Sequence, residues 1–344
     1  PPPPRPPPPP PPPHPPTLLS SAASDVYKRQ LFDDGQNVSG TDPVLLADSK
    51  MPAHVPLLLA EEPDIALTVG YGTGTTSGSM LLHDVDVHAV EIEKKIIEAA
   101  PLFSEVNYAS YADPDLDIVL DDARNYIATT DEEFSVIVTD VTNLKYKRNP
   151  YLYTREYFEI MRGALSADGV AAAWLPIGGL SFNDLRTLIG TFDSVFPHTT
   201  AWYFTQFPTH FIILVGTPEP TRANIAVLRE RMGVVEHDLE SLGVDNVYEF
   251  ASMLLLGESD IDSLVEGVPM HTDNRPILEY SDMDLYNVVD VAPNLGRLME
   301  FQHEDLLAYF VGGEDQLDEL AEHFELYTGY YLDYVRSYKR QRLD

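Results

Sequence analysis

Between residues 65 and 217, short apolar runs alternate with amphipathic stretches. That is the rhythm of strands buried on both faces and separated by helices. Ile65–Val69 is the first run; Gly70, Gly72 and Gly74 follow it, and residues 75–82 read as a helix. Residues 87–90 form a second run that delivers Glu91, and residues 118–120 a third that leads into Asp121 and Asp122. Phe134–Thr139 is a fourth, ending at Asp140, and residues 170–174 a fifth. Helices are predicted between them: 93–102, 123–128, an amphipathic 153–165 closed by Asp168-Gly169, and a helix capped by Ser181 and running to Asp193. Residues 199–203 and 210–215 supply two more strands. The connection between these two is too short for a parallel crossover, so they pair antiparallel. The expected architecture is α/β, with a mostly parallel sheet of seven strands and one of them reversed.

The flanks read differently. Residues 31–39 suggest a hairpin turning at Asp34-Gly35. In residues 50–60, KMPAHVPLLLA, Pro56 is placed to open a helix packing Leu57, Leu58 and Leu59. Residues 219–256 read as helical and irregular, and the chain returns to the sheet at 271–280. Residues 285–343 are helical and rich in Tyr and acid, with 294–310 and 316–334 as paired helices before a basic end, RSYKRQR. At the other end, residues 1–16 are almost pure proline and can build neither helix nor sheet. Residues 20–30, SSAASDVYKRQ, look like translated adapter sequence and are excluded from fold reasoning. The native start is then expected to be missing, together with any membrane segment it carried. The divisions expected are 1–30 non-native or disordered, 31–60 hairpin and linker, 61–280 catalytic, and 281–344 a helical extension.

Composition narrows the partners. Among 344 residues, 22 Lys and Arg face 55 Asp and Glu, a net charge of −33 that repels nucleic acid and anionic membranes. The acids are spread along the chain, which favours solvation in a salty medium over a dedicated cationic site. There is no cysteine, so neither disulfides nor thiol nucleophiles enter. No apolar run has membrane-spanning length. A cytoplasmic place is expected, at the cytoplasmic membrane face if a lost membrane region existed.

A glycine turn between a buried strand and a helix lets a ligand approach the backbone closely, and Glu91 at the next strand end can accept both hydroxyls of a ribose. No Lys follows the glycines, which excludes a P-loop. Gly78 falls one residue late for the dinucleotide fingerprint, so a nucleoside without phosphates fits at least as well. Asp122 with the Ala123 amide suits an adenine edge, and Asp122 is equally suited to cap a helix. Asp140, followed by a loop at 141–150 long enough for a lid, is the candidate reaction centre: an acid there can take a proton from an amine. His54, His83 and His271 lack metal-ligand spacing, and no metal site is expected.

Together these segments resemble the spermidine/spermine synthase (aminopropyltransferase) family, in particular its divergent bacterial forms related to membrane-fused proteins. The likeness runs from about residue 31 to 280. It rests on DDGQ (33–36), TVGYGTG (68–74), AVEIE (89–93), DDARNYI (121–127), FSVIVTD (134–140), LYTREYF (152–158) and HTDNRPILEY (271–280). It implies a Rossmann-like sheet of the S-adenosylmethionine-methyltransferase type, with an N-terminal hairpin remnant. It also implies decarboxylated S-adenosylmethionine as co-substrate, no tightly bound cofactor, a small amine such as putrescine as acceptor, and a homodimer. Under it Gln36 lies near the methylthioadenosine, Gly70, Gly72, Thr73 and Gly74 line the donor, Glu91 holds the ribose, Asp122 and Ala123 read the adenine, and Asp140 deprotonates or orients the amine.

Three positions depart from the family pattern. Thr73 stands where an acid usually meets the donor's ammonium, Asn143 where a second acid follows the catalytic one, and Asp48 where a Tyr is usual. Each removes a specific handle on a diamine. Two alternatives stay open: a methyltransferase using S-adenosylmethionine itself, whose carboxylate Thr73 tolerates, and a non-catalytic nucleoside-binding domain that docks a membrane partner.

Overall fold

Along each central strand, successive side chains enter two different cores. In a computed structural model of the chain, residues 29–33, 36–141, 144, 149–206, 208–281 and 291–341 are described, without the side chains of 33, 36–38 and 339–341. The order begins β1 (Gln30–Asp33), β2 (Gln36–Gly40), α1 (Pro43–Leu59), β3 (Ile65–Val69), α2 (Thr75–Leu81), β4 (Asp86–Glu91), α3 (Lys94–Ala99), β5 (Leu116–Leu120), α4 (Ala123–Thr129) and β6 (Phe134–Thr139). It continues with α5 (Arg155–Ala164), β7 (Leu165–Pro176), α6 (Phe182–Asp193), β8 (His198–Trp202), β9 (Phe211–Thr217), β10 (Ala223–Asn224) and α7 (Ile225–Val234). The rest is α8 (Glu236–Glu240), α9 (Val247–Ala251), β11 (Leu254–Leu256), α10 (Glu258–Val265), α11 (Val291–Met299), β12 (Phe310–Val311) and α12 (Glu314–Gln341).

The main sheet has eight strands in the order β11-β8-β9-β7-β6-β3-β4-β5, not the seven expected. β3, β4, β5, β6 and β7 pair in parallel, whereas β9 runs antiparallel to β7 and β8, and β11 antiparallel to β8. The extra strand is β11. Its three leucines follow a short helix directly, and a run that short has no period by which sequence can tell strand from helix.

Ala171, Ala173 and Leu175 of β7 face one core and Val170, Ala172 and Trp174 the other; Ile212 and Leu214 of β9 split in the same way from Phe211, Ile213 and Val215. The period of two is that of a strand covered on both faces. The first core takes residues from α5, α6, α11 and α12, the second from α1, α7, α8 and α9.

Helix α1 corrects the expected start at Pro56. Asp42 caps it by accepting from the Val44 and Leu45 amides, with Pro43 as its first residue. Pro52 and Pro56 lie inside it, each removing one rung of the helix, and the burial of nearly the whole second half compensates. β1 and β2 form the expected hairpin, starting at Gln30; its turn at Asp34-Gly35 lies outside the described residues.

Candidate nucleoside and acceptor site

After β3 the chain steps to β4 and β5 on one side, then returns to lay β6 on the other side of β3. Ligands of open α/β sheets sit at such a switch, beyond the strand carboxyl ends. Here the ends are laced together. The Gly70 amide donates to the Val90 carbonyl (2.9 Å), that of Asp121 to Glu91 (3.2 Å) and that of Asp140 to Val69 (3.1 Å). Gly70 has φ +92°, and a Cβ there would lie 3.0 Å from the Asp140 carbonyl oxygen. Only glycine allows both that backbone angle and that approach.

Glu91 reaches back over the turn. Its Oε2 accepts from the Tyr71 amide at 3.1 Å and its Oε1 from the Glu93 amide at 2.9 Å. A carboxylate held by two amides is fixed in place and keeps lone pairs for two hydroxyls. Asp122 caps α4, with the Arg124 amide (3.0 Å) and the Asn125 amide (3.3 Å) both donating to Oδ1. Capping therefore does not occupy Oδ2, which the cap leaves open to a further donor. Ala123 is buried at the first turn of α4. Two side chains that the sequence did not single out flank these acids: Ile92 is 69% exposed and Leu120 52% exposed. Apolar groups left open at two neighbouring strand ends suit the faces of a flat base.

Asp140 is the most perturbed acid at this edge. Its Oδ2 meets the Thr76 hydroxyl at 2.5 Å, while its Oδ1 is buried without a partner. Burial pushes its pKa up to about 7; the Thr76 hydrogen bond opposes this and the charge of Asp48 adds to it. Asp140 is thus held by the first turn of α2. The loop after Asp140 is pinned at its start, where Tyr153 Oη lies 2.8 Å from the Trp174 carbonyl and 3.2 Å from that of Val141. At its far end the Pro150 carbonyl accepts from His271 Nε2 at 2.9 Å. Asn143 lies outside the described residues.

Asp48, 126 residues from its partner in sequence, is buried beside Asp140: Oδ1 accepts from Trp174 Nε1 at 2.7 Å and Oδ2 faces His210 Nε2 at 3.4 Å. Nothing local in the sequence announced His210. Thr73 is fully buried and bonded to Ser39 (3.0 Å) and Thr75 (2.8 Å), so its hydroxyl belongs to a cluster under the turn. Gln36 lies on β2, and its side chain is not among those described. Gly72 and Gly74 take φ of +54° and +78°. Glu91, Asp122 and Asp140 thus end β4, open α4 and follow β6 along one edge, with Thr73 set beneath them.

A second buried cluster supports the same turn from behind. Asp238 of α8 accepts from Lys50 Nζ, from Tyr108 Oη and from Ser79 Oγ (2.6 Å), and bonds His54 Nε2 at 2.9 Å. Burial would raise the Asp238 pKa, but His54 and Lys50 override it and hold the carboxyl far below the usual range. His54 and His83, scattered in sequence, meet through Nδ1 and Nε2 at 2.9 Å. Burial and the neighbouring His54 lower the His83 pKa well below 6.5. Among the described residues, no group of three acids or histidines is placed to hold a metal ion, and no helix is long and apolar enough to cross a membrane.

The spermine/spermidine synthase domain matches residues 46–214. The polyamine aminopropyltransferase of Thermotoga petrophila is 29% identical over 164 residues, 46% of this chain and 55% of that protein. That of Korarchaeum cryptofilum is 31% identical over 119 residues, 34% of this chain and 37% of that protein. The chain therefore matches about half the length of these curated relatives or less. A crystal structure of spermidine synthase with the transition state analogue AdoDATO superposes with a TM-score of 0.52, at 21% identity, over 67% of this chain and 79% of the other, and shares the fold.

Proposed function

We propose that this chain, which carries a spermine/spermidine synthase-type domain, is an aminopropyltransferase that uses decarboxylated S-adenosylmethionine as donor and an amine as acceptor. The observation that carries it is Asp140: an acid with a pKa near 7 and one buried, unpartnered oxygen, at the sheet's switch point beside the glycine turn.

In this proposal Glu91 takes the ribose hydroxyls, Asp122 Oδ2 and the Ala123 amide the adenine edge, and Ile92 and Leu120 the base faces. Gly70, Gly72 and Gly74 bring the backbone to the thioether, with Thr73 and Gln36 beside the donor. Ionised Asp140 accepts a proton from the acceptor ammonium, and the neutral nitrogen attacks the carbon next to sulfonium. The N–C bond forms as the C–S bond breaks, and its electron pair stays on sulfur, giving methylthioadenosine. The sulfonium is already an activated leaving group, so the protein's task is alignment and proton removal.

Calorimetry tests the donor assignment. Decarboxylated S-adenosylmethionine and methylthioadenosine are expected to bind more tightly than S-adenosylmethionine. The reverse order would instead support the methyltransferase reading, which the buried neutral Thr73 permits.

A further inference from the structure

The match to the family domain ends at residue 214, yet two helices beyond it reach back to the site. Asn294 on α11 is only 4% exposed, and its Nδ2 donates to the carbonyls of Ile177 (2.8 Å) and Leu180 (2.9 Å). Both carbonyls belong to the turn leaving the carboxyl end of β7, the strand paired with the β6 that carries Asp140. One amide nitrogen has two protons and can satisfy both carbonyls at once. A buried carbonyl left without a donor is costly, so Asn294 fixes where this turn lies.

The turn in its turn holds His210. The Ile177 amide donates to the His210 carbonyl at 2.7 Å, and His210 Nε2 faces Asp48 Oδ2 at 3.4 Å. A second anchor reaches the same residue from α12. Tyr331 packs edge-on against Tyr203, with ring centroids 5.1 Å apart. The Tyr203 hydroxyl accepts from the Thr209 amide (3.0 Å) and donates to the Thr209 carbonyl (3.1 Å), which fixes the residue before His210. The two helices thus converge on one side chain, and that side chain is 27% exposed, at the border of the site instead of within the core.

These contacts lie on the β7 and β9 side of Asp140, whereas Glu91 and Asp122 lie at the β4 and β5 ends. With a donor over the glycine turn and the β4 and β5 ends, the amine is left the β7 and β9 side. Building on the aminopropyl-transfer reading, we propose that Asn294 is a positioning residue for the acceptor amine. Acting through the Ile177–Leu180 turn, it sets where His210 stands beside Asp48 and Asp140, and α12 fixes the same point through Tyr203. The C-terminal helices are in this sense part of the acceptor side and not a separate module.

The test measures putrescine kinetics with decarboxylated S-adenosylmethionine, and methylthioadenosine binding by calorimetry, in the wild type and in Asn294→Leu. The substitution keeps the size of the side chain and removes its donors; if it does not fold, Tyr203→Phe, which breaks the second anchor, takes its place. The amine KM is expected to rise about tenfold, with methylthioadenosine affinity unchanged. A merely structural role would lower the folded fraction and so the apparent kcat, leaving KM where it was. An unmoved amine KM, or a rise matched by an equal loss of methylthioadenosine affinity, would overturn the proposal. If the wild type yields no methylthioadenosine, the transfer reading fails, and NMR of the histidine rings decides the positioning separately. The His210 signal, identified by its loss in His210→Gln, should shift in the variant while that of His88 on β4 stays. A His210 signal that moves no more than that of His88 overturns the inference.

Discussion

The Thr76 hydroxyl lies 2.5 Å from Oδ2 of Asp140 and, at the same time, 2.8 Å from the carbonyl oxygen of Ser49. A hydroxyl has one proton and cannot donate to both. If Thr76 donates to the Ser49 carbonyl, the short contact with Asp140 is satisfied by a proton on the carboxyl. If Asp140 is ionised, Thr76 turns to it and Ser49 loses its donor. The geometry thus ties the protonation state of Asp140 to the packing of α1 against α2, and agrees with a pKa near 7.

Activity should therefore follow Asp140 ionisation. kcat/KM is expected to rise with pH through an apparent pKa near 7, the value burial gives this carboxyl. Asp140→Asn should lose turnover by at least about a hundredfold while keeping its affinity for methylthioadenosine, as rate and calorimetric measurements side by side would show.

The same shift makes a stability prediction of opposite sense. Unfolded, Asp140 titrates near 3.9, and folded, near 7. Between those values the native state holds the extra proton, so stability falls as pH rises from about 4 to about 7 and stays reduced above. Asp140→Asn cannot ionise. It should raise Tm at pH 8 and not at pH 4, with an upper bound of about 4 kcal/mol, since each pKa unit is worth about 1.4.

Glu91→Gln keeps the shape of the side chain but weakens a charge-assisted grip on hydroxyls. Methylthioadenosine affinity is expected to fall about tenfold to a hundredfold, whereas adenine, which lacks the ribose, should bind mutant and wild type alike. Calorimetry with both ligands separates the two.

Gly78 tests the helix behind the turn. A Cβ there would lie 2.5 Å from the Asn107 carbonyl oxygen, and Asn107 in turn donates from Nδ2 to the Thr73 carbonyl at 2.7 Å. Gly78→Ala must push this loop away, because backbone cannot yield as a flexible side chain does. A lower Tm together with weaker methylthioadenosine binding is expected; a silent substitution would show that the loop does not hold the turn.

Removing Asp238 strands two buried partners, Lys50 and His54. Asp238→Asn should cost about 3–5 kcal/mol in denaturant unfolding. The double variant with Lys50→Met should recover part of that, since it removes the stranded cation.

How much the sequence disclosed follows from the range of each interaction. The places of the glycine turn, Glu91, Asp122 and Asp140 along one sheet edge were legible because each ends a strand or opens a helix, and strand ends in a parallel sheet share one edge. Asp48 with His210, and Asp238 with Lys50 and His54, were not: their partners are far apart in the chain, and no periodic pattern encodes a tertiary polar contact. Asp48 was noticed only as a departure from a family pattern, with no partner to explain it. β11 was missed because three leucines carry no period, and Pro56 was misread as a helix start because burial, rather than local propensity, holds α1 around it.

The central claim is the transfer itself. Protein incubated with decarboxylated S-adenosylmethionine and a primary amine, followed by mass spectrometry, should release methylthioadenosine and aminopropylated amine in equal amounts, both absent with Asp140→Asn. Formation of S-adenosylhomocysteine and a methylated amine from S-adenosylmethionine, with no methylthioadenosine from the decarboxylated donor, would contradict it.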